Sequence, residues 1–513
     1  MRTNPETAYV RPPGRPDVFY EKQTDPNKLK DLLKQYAWPL GILMLLLGGA
    51  GISFLVVSKG SSIGLLLIAV MIAIPTVLAV IAIPEFGIIV LLIMAYFIMF
   101  LLRLIKGYPL GTIMDGLVYL LFAGFFLKQK YEKNWKIFQG PISAIILIWF
   151  SYNILQVGNP WAGSRVAWLY TVRSVGVFTL TYFIFVYNIR RIEFIRIIFT
   201  TWMCVSMFAA AYATKQEYFG FFDFEQEELN DPLVMLLLFI NGQWRKFSIF
   251  SDPVAFSYNM VASTLFCFAK VIGPYKKNTR IGYGFMGAFF ISAMLYSGTR
   301  GAYVLIPAAL ALYLAMNINK TTLLYGAIGA VFFLALINVP TSNVTLYRFQ
   351  SAFKPSDDAS FNVRKMNQKR IQPYILKHPF GGGLGGSGAS GVKYAPGTEI
   401  AGFPPDSGYV RVAVEMGSIG LILFCTMMFI VLKEGIKNYF LIQDPELKNY
   451  CLAMVLVVFA INFGNYPQEA LVQFPTSIYI YLYIALINVT RRLDLEKRGI
   501  TNEPAKKVLM LRQ

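Results

Sequence analysis

The stretch PPDSGYVRVAVEMGSIGLILFCTMMFIVL, residues 404–432, passes from prolines and charged residues into an apolar run that holds until Lys433. Such a run can cross a bilayer, which needs about 20 predominantly apolar residues. The same criterion, applied outward along the chain, finds runs at roughly 38–57, 62–83, 86–102, 110–127, 139–156, 166–187, 194–214, 255–273, 281–297, 302–318, 322–339, 450–464 and 475–490. The expected fold is an all-α polytopic transmembrane bundle over residues 37–490, with about 12–14 spans. Pro75, Pro141 and Pro307 fall inside runs, which a bundle tolerates because neighbouring helices re-satisfy the backbone.

Composition agrees. The 513 residues are 56% hydrophobic and 15% charged, too little charge for a water-soluble chain of this length. Net charge is +19, yet Lys and Arg stand in short segments between apolar runs, a pattern of membrane topology that argues against a nucleic-acid partner. Cys204, Cys267, Cys425 and Cys451 lie in apolar runs with no CxxC or His-paired spacing, so they read as small buried hydrophobes and offer no disulfide or zinc site. Residues 1–36 are polar and carry RPPGRP, which reads as a disordered tail before an uncleaved first span.

Orientation follows from the short connections. Lys128, Lys130, Lys133 and Lys136, then Arg190, Arg191 and Arg196, Lys276, Lys277 and Arg280, Lys320, and Lys433, Lys437 and Lys448 mark alternate connections. The positive-inside rule places these in the cytoplasm, with both termini, including a tail at 491–513. Two long loops, about 215–254 and 340–406, then face the other side. The first is acidic and contains VMLLLFI, which suits a helix lying on the membrane surface. The second carries Arg348, Arg364, Lys365, Lys369, Arg370, Lys377 and Lys393. Long translocated loops escape the charge rule, so this basicity needs its own explanation, and a basic concavity over a bilayer suits a phosphate-bearing lipid.

Individual residues divide the possibilities. Arg300, in SGTRGA between two spans, is either a snorkelling interface arginine or a functional one, since a charge at that depth is expensive unless paired. Asp406 precedes a span and reads both as its N-cap and as an oriented base. Arg411 and Glu415, four apart on one helix, can pair with each other. Arg364 opens a helix expected over Ser360 to Gln372, stopping before Pro373. His378, the single histidine, stands in KHPFGGGLGG, where packing suits it better than proton transfer, and Arg245 and Lys246 end the first long loop. Glu469 is a rival carboxylate on the last outer connection, and Asp115, Asn153 and Arg173 are polar groups able to pair within the bundle. The glycine run lacks GK[ST], and no DxD or HExxH occurs, which disfavours nucleotide-dependent chemistry.

Four stretches resemble the O-antigen ligase and Wzy-type polysaccharide polymerase superfamily of membrane glycosyltransferases: RKFSIFSDPVAFSYNM, SGTRGAYVL, NVRKMNQKRIQPYILKHPFGGGLG and DSGYVRVAVEMGSIG, over about 240–435. In the last, Ser407, Gly417 and Gly420 fit the family pattern, and Asp406 stands where the family has histidine. The resemblance implies a helical bundle whose large periplasmic loop covers a lipid-facing cavity in the bacterial cytoplasmic (inner) membrane. It implies transfer of a glycan from an undecaprenyl-diphosphate carrier to a hydroxyl of a glycan or lipid A-core acceptor, as in lipopolysaccharide or exopolysaccharide assembly, without cofactor or metal. On it, Arg300 and Arg364 engage the diphosphate and Asp406 activates the acceptor, with Arg245, Lys246, Arg411 and His378 as substrate-binding candidates. Two other classes stand beside it: a polysaccharide or lipid transporter or flippase, for which no inverted repeat is found, and an inactive scaffold, to which the absent histidine points.

Overall fold

The computed structural model describes residues 46, 48–51, 53, 61–105, 110–133, 135–240, 242–353 and 359–500. The tail expected at 1–36, most of the span expected at 38–57, Asp357, Asp358 and the chain beyond 500 lie outside these residues. Residues 1–76 form a unit of their own, whose described part is chiefly the start of helix α1 (Ser61–Ala82). The unit from Val77 onward carries the rest.

It is built from helices: α2 (Pro84–Leu104), α3 (Gly111–Glu132), α4 (Pro141–Leu155), α5 (Arg165–Val175), α6 (Thr181–Asn188), α7 (Ile192–Tyr218), α8 (Asp223–Leu229), α9 (Pro232–Leu238), α10 (Pro253–Ile272), α11 (Lys277–Tyr296), α12 (Arg300–Met316), α13 (Lys320–Asn338), α14 (Val344–Ser351), α15 (Ala359–Lys377), α16 (Gly388–Tyr394), α17 (Gly408–Leu441), α18 (Pro445–Gly464) and α19 (Thr476–Lys497). A two-residue hairpin, β1 (Phe239–Ile240) and β2 (Gln243–Trp244), is the one sheet among the described residues. Each run expected from 62–83 onward is helical, that at 166–187 being divided into α5 and α6 by a short 3-10 turn, and nine helical segments among the described residues are long and apolar enough to cross a membrane. α12 falls short at 17 residues, α11 begins with the polar KNTRIGYG, and α19 ends in RRLDLEK. The protein is an integral membrane protein with an all-α polytopic bundle.

α10 and α18 form the centre, and their polar side chains are satisfied by partners on other helices. Ser263 of α10 donates to Ser206 of α7 at 2.9 Å; the Ser206 hydroxyl bonds Tyr96 of α2 at 2.9 Å, and the Trp202 indole donates to Tyr96 at 2.9 Å. Interhelical bonds of this kind join spans where lipid supplies no hydrophobic drive. α13 is the opposite case, because none of its residues is buried.

The connections sort to two ends. Arg190–Glu132, Arg191–Glu85, Arg196–Glu446 and Lys497–Asp444 pair at the end carrying the short basic connections. The long loops meet at the other end, where Arg103 of α2 bonds Glu228 and the Ser251 carbonyl, each at 2.8 Å.

Several expectations change. Pro141 opens α4 and interrupts nothing. The loop at 340–406 is largely helical, and α15 continues through Pro373 to Lys377. Ile371 and Tyr374, on either side of that proline, pack against Ile400, Phe403 and Val414, so tertiary burial offsets the lost backbone bond. The last helix runs past 490 to Lys497. Cys267 and Cys451 are buried, whereas Cys204 and Cys425 face outward from their helices.

Candidate functional site

The turn between α11 and α12 is the seat of the site. Gly298 adopts φ +59°, and a Cβ there would lie 2.8 Å from Nη1 of Arg348 and 3.5 Å from Cγ of Arg245. Two arginines therefore cross the turn because residue 298 has no side chain. Arg245 donates from Nε to the Ser297 carbonyl and from Nη2 to Thr299 Oγ1, each at 3.0 Å. Thr299 Oγ1 donates in turn to the Pro253 carbonyl at 3.2 Å. The Ser and Thr of SGTR thus serve to hold an arginine.

Burial, reinforced by the charge of Arg348 and Arg300 and opposed by Asp252, brings Arg245 down to about 10. Asp252 already caps α10, accepting from the amides of Val254 at 2.8 Å and Ala255 at 3.0 Å. The charges of Arg300 and Arg348 both act on Arg245 across the turn, which gathers positive charge at the N-terminus of α12, whose own dipole adds to it. A di- or tri-anion such as a diphosphate would neutralise it.

A Cβ on Gly301 would lie 3.1 Å from the Tyr258 hydroxyl and 3.5 Å from Cγ of Pro467, and the Arg364 guanidinium is within electrostatic range of that hydroxyl. One turn further along α15, Asn367 donates to Oδ2 of Asp406 at 3.4 Å. Positions three apart share a helix face, so α15 carries the Arg364 guanidinium and the Asp406 partner on one face.

Asp406 does not cap α17. Ser407 does, accepting from the Val410 amide at 3.5 Å, which leaves the Asp406 carboxylate free of that duty. The Gly408 amide donates to the carbonyls of Asn465, at 2.9 Å, and Gln468, at 3.3 Å, and a Cβ at 408 would strike the Asn465 amide. Asp406 is thereby tied to the loop between α18 and α19, which also touches Gly301. Arg300 and Asp406 stand at the same end of the bundle.

The glycines have a structural task. α17 is broken at Gly417, with φ 74° and ψ −175°, a conformation essentially restricted to glycine. The carbonyls released by the break find donors: Gly382 N to Val414 O and Gly383 N to Glu415 O, each at 2.9 Å, and the Tyr152 hydroxyl to Met416 O at 2.8 Å. A Cβ on Gly417 would meet the Pro379 carbonyl at 1.9 Å. The glycine run is thus a plug laid onto a split helix. Gly417→Ala is expected to destabilise the fold by about 3 kcal/mol or more, read as a lowered unfolding temperature in detergent.

Other candidates are held by internal partners. His378 stacks on Tyr374 with ring centres 4.1 Å apart, meets Trp161 edge-on, and contacts the Tyr374 carbonyl through Nδ1 at 2.9 Å. Lys246 pairs with Glu217 at 3.2 Å. Arg411 reaches Glu415 at 3.5 Å and Glu469 at 2.6 Å. Arg173 pairs with Asp115, and Asn153 bonds within its own helix. Arg348 was not singled out as a site residue from sequence; the signal was a glycine flanked by Ser and Thr, which marks a close approach by something large.

Below the arginines runs an apolar groove of about 1330 Å³ between α10, α11, α12, α13 and α14. Tyr303, Phe349 and Leu346 line it beside Arg300 and Arg348, and Arg280 and Thr321 line its far end. At 19 residues α13 is about 28 Å long, close to the hydrocarbon thickness of a bilayer.

A split-helix plug and an arginine-lined turn above a membrane-deep groove define an integral membrane protein with its site at one end of the bundle. Residues 285–425 match the family model described as O-antigen ligase, which supports a likeness of this part of the chain to the O-antigen ligase and Wzy-type polymerase superfamily. No curated protein matches the chain. The matched region includes Arg300, Arg348, Arg364 and Asp406 and leaves out Arg245 and Glu469.

Proposed function

We propose that this protein transfers or polymerises a glycan from an undecaprenyl-diphosphate carrier to an acceptor hydroxyl at the periplasmic face of the bacterial inner membrane. The observation that carries this reading is the group Arg245, Arg300 and Arg348 at the head of the apolar groove. A ligand that is anionic at one end and a long hydrocarbon at the other matches both parts. The short basic connections at the opposite end then face the cytoplasm, with both termini.

The arginines stabilise the charge that develops on the diphosphate as the bond from the anomeric carbon to the phosphate oxygen breaks. The acceptor oxygen forms the new glycosidic bond, and its proton passes to Asp406. Arg364, one turn from the Asp406 partner Asn367, links grip and base through one helix. The acceptor is a second lipid-linked glycan or a lipid A-core sugar.

The groove yields a test. A Cβ on Gly329, which lines the groove, would meet nothing within 4 Å, so Gly329→Trp adds bulk there from an open position. Each displaced methylene forfeits about 0.8 kcal/mol, so KM for a long-chain donor should rise about ten- to a hundred-fold, while a donor with a short prenyl chain is affected little. Equal effects on both donors would place the chain elsewhere.

A further inference from the structure

We propose that Asp406 works as one half of a carboxylate pair whose other half is Glu469, the two together serving as the base that takes the acceptor proton. This rests on the glycan-transfer reading above and adds a catalytic partner from outside the family-matched region.

Three observations carry it. The first is tethering: the Gly408 amide bonds the Asn465 and Gln468 carbonyls, which holds the chain just after Asp406 against the loop that bears Glu469. The Asp406 charge is felt at Glu469. The second is charge count. Arg411 alone lies between two carboxylates, Glu415 at 3.5 Å and Glu469 at 2.6 Å, and Glu415 is fixed by the Ser387 hydroxyl at 2.6 Å. One guanidinium thus serves two carboxylates, and the charge of Asp406 also acts on Glu469. The third is space: a cavity of about 60 Å³ lined by Arg411, Glu415, Glu469, Asn465 and Gly408 has room for water among polar groups that can bind it.

Neighbouring carboxylates resist ionising together, so a pair holds a proton more firmly than either member alone. Burial and the nearby charges of Glu415 and Asp406 push Glu469 upward against the pull of Arg411. A second carboxylate gives the base a further proton acceptor at the place where the family has histidine. In the step itself the acceptor O–H bond breaks, its proton goes to Asp406 and is shared with Glu469, and its electron pair forms the bond to the anomeric carbon. The electron pair of the broken C–O bond leaves on the diphosphate. Afterwards the proton passes to water.

The groups facing the pair are Arg411 and Glu415 from α17, the Asn367 amide from α15 with Arg364 and Arg370 on that helix, Ser387 from the glycine run and the Asn465 amide from the loop. None of them is a histidine.

The test is the pH–rate profile of transfer from undecaprenyl-diphosphate oligosaccharide. Activity in the unaltered protein should fall, on acidification, through a pH above the ordinary carboxylate value of about 4. Glu469→Gln removes the neighbouring charge, so the same limb should move to lower pH by about one unit, with kcat reduced about ten-fold or more and donor KM unchanged. Should that variant not fold, Glu469→Ala, which removes the same charge, carries the test through the same shift. An unmoved limb in a folded variant overturns the pairing and leaves Asp406 acting alone. No transfer by the unaltered protein at any pH would instead overturn the glycan-transfer reading.

Discussion

Arg300→Ala is expected to abolish transfer while the protein still inserts and folds. Arg300 begins α12, and its charge acts on the Arg245 and Arg348 positions across the Gly298 turn. Removing one preorganised donor aimed at a developing anion typically reduces turnover by about 10²–10³-fold, or about 3–4 kcal/mol. Here the loss also weakens ground-state binding of the diphosphate, so kcat/KM should drop by about 10³-fold or more. Arg364→Ala should behave alike, since its charge acts on the Tyr258 hydroxyl, which lies against Gly301 at the start of α12. Arg245→Ala should differ, because Arg245 also ties the Ser297 carbonyl and the Thr299 hydroxyl. It should lower the unfolding temperature as well as activity. Arg300→Lys should recover only part of the loss, because an ammonium lacks the planar fork that matches a phosphate. Measurement is by transfer assay on purified protein, with a size-exclusion profile and unfolding temperature as controls. An Arg300→Ala protein that transfers normally would remove the cation cluster from the chemistry.

Asp406→Asn should reduce kcat by about 10²–10⁴-fold and leave donor binding intact. The amide is nearly isosteric, and the helix cap belongs to Ser407, so α17 keeps its start. The loss therefore reports on proton acceptance and not on folding. Binding of undecaprenyl diphosphate, measured by thermal shift, should be unchanged or slightly tighter once a negative charge near the arginines is gone. Full turnover by Asp406→Asn would remove it as the base and make Glu469 the carboxylate to examine.

The sequence displayed most of the bundle and only part of the site. Hydropathy located the spans because a bilayer imposes one length and one chemistry on them, and Lys/Arg placement separated the two ends for the same reason. Arg300 was legible as a charge at span depth, and the Arg411–Glu415 pair as a four-residue spacing on a helix. The second partner of Arg411 was not, since Glu469 lies 58 positions away and nothing periodic links them. Asp406 looked like a cap because the true cap, Ser407, is adjacent and has the same preference. Pro373 suggested a helix stop because a local rule cannot weigh the packing of Ile371 and Tyr374 that carries α15 past it. The glycine run could be excluded as a nucleotide loop, yet its task became visible only with the break at Gly417, where the released carbonyls need donors.

The central claim is that guanidinium groups at the head of the groove hold a lipid diphosphate while a nearby carboxylate prepares the acceptor hydroxyl. Its most direct test follows both products in one reaction: purified protein, undecaprenyl-diphosphate-linked oligosaccharide and an acceptor glycan, with no nucleotide sugar present. The account predicts one new glycosidic bond for each undecaprenyl diphosphate released, and neither product with Arg300→Ala. Movement of intact lipid-linked oligosaccharide between leaflets with no diphosphate released, or elongation only when a nucleotide sugar is supplied, would contradict it.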